Sequence, residues 1–220
     1  MSAALLDELF DAVSWQELEQ VHDAADKALV ALSEPRVLGA LWDRMAKDEV
    51  LRHSAENFNA FQKFVLHEND RTGLRLRLHV FSDRMVEEAH NHRASFSARV
   101  LRGGYRHFLY GNVEDVWGTE EAPARPLSPR FVQEQIPGLS YTLHHAFVHS
   151  TYALPGTVSL VVQGPRVRPS FRIYDLAKGV TRTRVGAGRE AGTQEAGERR
   201  LDPAELAAVR ATLTEQGVLT

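Results

Sequence analysis

Two histidines stand one residue apart in "EEAHNHRASFSARVLRGG", residues 87 to 104, at the start of an apolar run that ends in a glycine pair. On an extended strand, side chains two positions apart project to the same side, so His90 and His92 can aim both imidazoles at one point. Two such nitrogens can serve as neighbouring ligands of a metal ion, with a third supplied by another strand. A bare pair at this spacing is equally common as a solvated polar pair. Seven of the ten histidines lie between positions 79 and 149, so a cluster in that region has to be considered. The chain has no cysteine, which excludes thiolate ligands, disulfides and a cysteine nucleophile and leaves nitrogen and oxygen to hold any metal.

The elements that would position these histidines follow from periodicity. From Ala3 to about His53, apolar residues return at helical spacing (Leu5, Leu9, Val13; Leu18, Val21, Ala25; Val37, Leu41, Met45), which predicts a helical segment over 1–57. Ser14 and Glu17 have capping-box spacing, and Ser33-Glu34-Pro35 reads as a helix stop followed by a new start. Near Phe58 the period changes to two. In "GLRLRLHVF", Leu74, Leu76, Leu78 and Val80 share one face, and Arg75, Arg77 and His79 share the other. Further strands are expected at 94–101, 105–110, 142–148, 158–163 and 170–174, which makes 58–176 a sandwich or small barrel. Residues 177–200 have little to bury and read as a connector. Asp202, Pro203 and Glu205 start a closing helix over 201–220, and Gly217 stops it.

Composition narrows the classes of function. With 43% hydrophobic and 25% charged residues and a formal charge of −3, the chain is that of an ordinary globular protein. It lacks the clustered basic stripe of a nucleic-acid binder. No window approaches the roughly 18 apolar residues of a membrane span, and the first residues carry acids instead of a signal peptide's positive charge. No nucleic-acid or membrane partner is therefore expected, and the expected compartment is the cytoplasm.

The frame around the histidine pair resembles a known motif. From His92, three or four residues lead to Phe96 or Ser97, and Gly103 and Gly104 follow at the far end, as in the first motif of the cupin superfamily. Cupins carry an acid at the Phe96 or Ser97 place. In cysteine dioxygenase-like cupins that place is likewise not a carboxylate, and three histidines hold ferrous iron. The segment "VHSTYALPGTVSLVVQGP" resembles their second motif, which nominates His149 as third ligand. His145 shares its strand parity and stays open as an alternative ligand or supporting partner, whereas His144 and His107 read as structural or barrel-wall residues. Glu87 and Glu88 read as strand-edge charges.

The resemblance runs from about Phe61 to Pro165. It implies a double-stranded β-helix (jelly-roll) barrel with a helical segment before it and a helix after it, acting on a small-molecule substrate and O2, with a homodimer also expected. Three neutral imidazoles leave a metal its full charge and open positions, which suits Fe(II), while Zn(II) or another divalent ion would serve as a Lewis acid. The chain departs from thiol dioxygenases where a serine, a histidine and a tyrosine alternate after the third ligand: Ser159 matches, but Val161 and Gln163 take the other two places. Lys63 falls near the place of the arginine that binds the substrate carboxylate, and it lacks the bidentate fork. Arg75 and Arg77 read first as a solvated outer face. Turned inward, they join Tyr105 and Gln163 as candidate substrate contacts. The implied activity is that of a non-haem iron oxygenase on a thiol, amino-acid-like or carboxylate substrate. The alternatives are a redox-inert metal isomerase, lyase or hydrolase, and a cupin that binds a small ligand without turnover.

Overall fold

A computed structural model describes residues 3–58, 60–117, 127–185 and 201–220. Four helices come first: α1 (Ala3–Asp11), α2 (Leu18–Leu32), α3 (Pro35–Lys47) and α4 (Glu49–His53). Ser33 closes α2, and Glu34 caps α3 by accepting from the backbone N–H groups of Arg36 and Val37, with Pro35 in the first turn. The capping box expected at Ser14 and Glu17 does not form. Helix α2 begins only at Leu18, with Glu17 as an N-cap that makes no side-chain bond, because Ser14 is used in a turn that accepts from Gln16 N–H.

Strands then take over: β1 (Glu56–Asn57), β2 (Phe61–Asn69), β3 (Leu74–Phe81), β4 (Met85–Val86), β5 (Ala89–His90), β6 (Phe96–Arg102) and β7 (Tyr105–Asn112). After a short helix α5 (Val113–Trp117) come β8 (Phe131–Gln135), β9 (Ser140–Leu143), β10 (Phe147–Ala153), β11 (Thr157–Gln163), β12 (Ser170–Asp175) and β13 (Val180–Val185), and the chain ends with helix α6 (Pro203–Glu215). Asp202 and Glu205 form the capping box of α6.

The pairing is nested: β3 with β11, β5 with β10, β6 with β9 and β7 with β8, all antiparallel. A long two-armed hairpin wound on itself has this order, so successive pairs fall alternately into two sheets. One sheet runs β1-β2-β3-β11-β6-β9 and the other β13-β12-β5-β10-β7-β8, with β4 added beside β10. The fold is a double-stranded β-helix barrel with helices at both ends of the sequence. Gly103 makes the tight turn from β6 to β7 possible. Its φ is 72°, and a Cβ there would lie 2.7 Å from the Thr157 Cα, which only glycine avoids.

Leu74, Leu76, Leu78 and Val80 of β3 do not face the barrel. With Leu160 and Val162 of β11 they pack outward against Leu29, Leu38, Trp42 and Met45 of the helices and Leu206 and Leu213 of α6. Trp42 sits 4.7 Å from Phe64, ring centre to ring centre, in the middle of this contact. The solvated outer face expected for the arginine row is therefore corrected. The helices cover the leucine row, and Arg77 and His79 turn into the barrel.

Three further differences concern local chemistry. The strand expected at 142–148 is two strands broken by a turn at 144–146, so parity no longer relates His145 to His149. Strand β13 lies where a connector was expected, and residues 186–200 of that connector are outside the described residues. Helix α5 and strand β8 carried no periodic signal long enough to be read. No described helix is long and apolar enough to cross a membrane. Replacement of Trp42 by alanine, which empties the centre of the helix-to-sheet core, is expected to cost about 3–5 kcal/mol in urea denaturation.

Candidate metal centre

His90 ends β5 directly opposite His149 on β10, and their Cα atoms are register partners. Between His90 and His92, Asn91 points the other way. It is buried, its Oδ1 accepts from Arg172 N–H at 2.7 Å, and its own N–H donates to Arg172 O. The His92 N–H donates to His145 O at 3.1 Å. The asparagine thus clips the end of β5 to β12 and holds both flanking imidazoles on the cavity side.

The three rings converge, with centroids 4.6 to 4.8 Å apart. One nitrogen from each of His90, His92 and His149 lies within 4.8 Å of the others. His90 Nδ1 lies 2.8 Å from Glu88 O, a contact in which the ring nitrogen must donate, which leaves Nε2 as the free donor atom. His149 Nδ1 lies 2.7 Å from Nε2 of His107, itself buried, so the Nε2 of His149 also faces the centre. That Nε2 is 2.6 Å from Nε2 of His92. Two lone pairs at this separation repel unless a proton or a cation lies between them, and neighbouring imidazole ligands of one divalent ion stand roughly 3 Å apart.

The electrostatics agree with this geometry. Burial pushes His92 and His149 well below the usual histidine range, and the neighbouring histidines push them further. Burial, followed by His90, takes His107 down to about 4. His92, His107 and His149 are therefore neutral near pH 7, the form in which an imidazole binds metal. The donor set fits a divalent ion.

The histidines open onto a cavity of about 110 Å³ between the two sheets, lined on the opposite wall by Lys63, Arg77, His79, Ser159 and Gln163. Tyr105, Tyr141 and Glu87 complete its sides. Tyr105 O–H donates to the Tyr141 oxygen at 2.8 Å, and burial raises both phenols well above their usual range. Glu87 accepts from Thr151 Oγ1 at 2.5 Å.

No family profile matches this sequence, and no curated protein matches it. Several solved structures are similar to part of the barrel. KdgF from Halomonas sp. is 16% identical with a TM-score of 0.38, covering 52% of this chain and 90% of its own. An RmlC-like cupin from Shewanella frigidimarina is 15% identical with a TM-score of 0.37, covering 52% and 86%. The polyketide cyclase RemF from Streptomyces resistomycificus is 17% identical with a TM-score of 0.38, covering 55% and 75%. The nested strand pairing makes the barrel a double-stranded β-helix, the fold that the cupin resemblance implied. These distant likenesses say nothing about family or activity.

The barrel brings together His90, His92, His149, Lys63, Arg77, Tyr105, Ser159 and Gln163 of the residues singled out from sequence. Two others lie elsewhere. Arg75 is held by Glu68 through its Nε at 2.7 Å and also through Nη2, away from the cavity. His145 sits in the turn before β10, its Nδ1 3.2 Å from Ser95 Oγ and its ring tilted at 42° against that of His144. Glu88 is a surface charge paired with Arg182, as a strand-edge residue should be, whereas Glu87 is corrected from an edge charge to a cavity carboxylate.

Three cavity-lining residues, His79, Glu87 and Tyr141, were not read as site residues, and His107, read as a barrel-wall residue, stands behind the site and holds His149. Parity could have found His79, which shares the face of Arg77, and it links His107 to the face of Tyr105. Tyr141 lies on a strand that was not separated from its neighbour, and Glu87 precedes β5 in an irregular stretch.

Two outcomes follow. His107 orients His149, so His107→Ala should weaken metal binding by about 10–100-fold in a competitive chelator titration while leaving the circular dichroism unchanged. The histidines buried as neutral rings bind fewer protons folded than unfolded, so the stability they contribute is present above about pH 6.5 and lost as pH falls towards their folded values. The metal-free protein should melt at a lower temperature at pH 5 than at pH 7, and His107→Gln should flatten that slope. A melting temperature independent of pH would contradict the neutral-cluster reading.

Proposed function

We propose that this protein is a metal-dependent cupin enzyme, a non-haem Fe(II) oxygenase of the cysteine dioxygenase-like kind, acting on a small polar substrate. The observation that carries the reading is the convergence of three imidazole nitrogens, with no carboxylate in the group, on a cavity between the two sheets. Fe(II) held by His90, His92 and His149 would supply one-electron redox chemistry with positions left open for dioxygen and substrate.

The chain's own residues have separable tasks. The wall formed by Lys63, Arg77, His79 and Gln163 binds and orients the substrate. Tyr105 donates to Tyr141, so the hydroxyl hydrogen of Tyr141 is left for a group in the cavity. The serine, histidine and tyrosine that thiol dioxygenases carry along one strand are here drawn from three: Ser159 on β11, His79 opposite it on β3, and Tyr105 on β7. Phe61, Phe81 and Phe96 limit water at the reacting centre.

One observation favours a second reading, a redox-inert isomerase, lyase or hydrolase using zinc or another divalent ion. The Glu87 carboxylate lines the cavity and offers a base for proton transfer without oxygen.

The test is anaerobic competition among Fe(II), Zn(II), Mn(II) and Ni(II) for untagged protein, followed by oxygen-uptake screening with small thiols, amino acids and carboxylates. Iron retained by the wild type and by His145→Ala, lost in His92→Ala and His149→Ala, and accompanied by substrate-dependent oxygen consumption is the expected result. Zinc retention with oxygen-independent turnover would select the second reading, and no bound metal would refute both.

A further inference from the structure

The metal triad and the polar wall come from different sheets. His90 and His149 belong to one, while Arg77 and His79 on β3 and Gln163 on β11 belong to the other, across the cavity. In the β3–β11 pairing, His79 stands opposite Ser159, Arg77 opposite Val161 and Arg75 opposite Gln163. Arg77 and His79 are therefore successive inward residues, and Gln163 is the diagonal neighbour of Arg77.

Three polar atoms on this wall are shut off from solvent without a hydrogen-bond partner: Arg77 Nε, His79 Nε2 and Gln163 Oε1. Buried polar groups in folded proteins are nearly always paired, and an unpaired buried cation is the costliest exception. Arg77 has no ion pair among the described residues. The nearby Glu56 is engaged with Lys63 at 3.8 Å, and Arg75 is neutralised by Glu68. Desolvation, together with Arg75 and other surrounding cations, pulls the Arg77 guanidinium down to about 10, the mark of a charge lacking its counterion.

The vacant partners define a ligand by complementarity. Arg77 offers a donor and a positive charge, which suits a carboxylate. Gln163 Oε1 offers an acceptor, which needs an O–H or N–H on the same ligand. With Lys63 and Arg77 both on this wall, an ammonium there would be repelled and a neutral hydroxyl would not. We infer that the β3–β11 wall is the acid-binding half of the substrate site and that the substrate is a small hydroxycarboxylate, its carboxylate on Arg77 beside His79 and its hydroxyl donating to Gln163. The inference rests on the cavity being the substrate site proposed above.

Calorimetric titration of the metal-loaded and metal-free protein with lactate, propionate, alanine and inorganic phosphate tests it, with metal content measured on each sample. Lactate should bind more tightly than the other three in both forms. Arg77→Met should lower lactate affinity about tenfold or more, as expected for a lost charge-assisted hydrogen bond, without changing metal content. It should also raise the melting temperature of the ligand-free protein by removing an uncompensated charge. If Arg77→Met does not fold, Gln163→Leu serves instead: it should keep propionate affinity and erase the preference for lactate over propionate.

Equal affinity for lactate and propionate in the wild type would overturn the inference, as would tighter binding of alanine or phosphate. Absence of binding by folded protein at millimolar lactate would do so too. Lactate binding lost in His92→Ala but unaffected in Arg77→Met would place the acid at the metal and refute the anchor. Arg77-dependent lactate binding by a protein that takes up no metal would refute the metal reading and leave the anchor standing.

Discussion

A strand has two faces, and the organisation of this molecule follows from how β3 uses them. Its leucine row packs on the helices, where Trp42 and Leu29 exclude water, and the opposite row is thereby turned into the barrel. A slip of one residue would send Arg77 and His79 into that apolar layer and the leucines into a polar cavity, so register and helix packing fix each other. The helical segment is in this sense part of the functional site. It makes an inward-facing arginine possible by giving the leucines another place to be buried.

The opposite wall has a different logic. There the backbone is irregular, with β5 only two residues long and a register shift in β10 between Val148 and His149. What holds the histidines is a set of specific hydrogen bonds: Asn91 to the Arg172 backbone, His90 to Glu88 O, and His149 to His107. Burial keeps His92, His107 and His149 neutral without removing their ability to bind a cation, and the bonded Nδ1 atoms of His90 and His149 choose which nitrogen is offered. The barrel thus sets a charged wall against a hydrogen-bonded cluster of histidines, with a small cavity between them.

Much of this was legible in the sequence, for identifiable reasons. The His-x-His pair and His149 could be read because strand spacing and two ordered segments agreed, and the Gly pair marked a turn that only glycine permits. The α6 cap was legible because Asp202, Pro203 and Glu205 act locally. The orientation of the arginine row was not, since a strand's alternation shows that two faces differ and leaves open which of them meets water. Tyr141 was missed, and His107 was read as a barrel-wall residue without its role of holding His149, because their importance lies in partners 36 and 42 residues distant along the chain. The split of 142–148 into two strands depended on a turn without glycine or proline, and it moved His145 out of the parity argument.

The account stands on three imidazoles from His90, His92 and His149 sharing one divalent ion. X-ray absorption at the metal edge of the loaded protein, compared with His149→Ala, tests this most directly. The account predicts the scattering pattern of three imidazole ligands in the wild type, and in the variant either the loss of one of them or the loss of the bound metal. A wild-type spectrum dominated by carboxylate or water oxygens, or an imidazole count unchanged in His149→Ala, would contradict it.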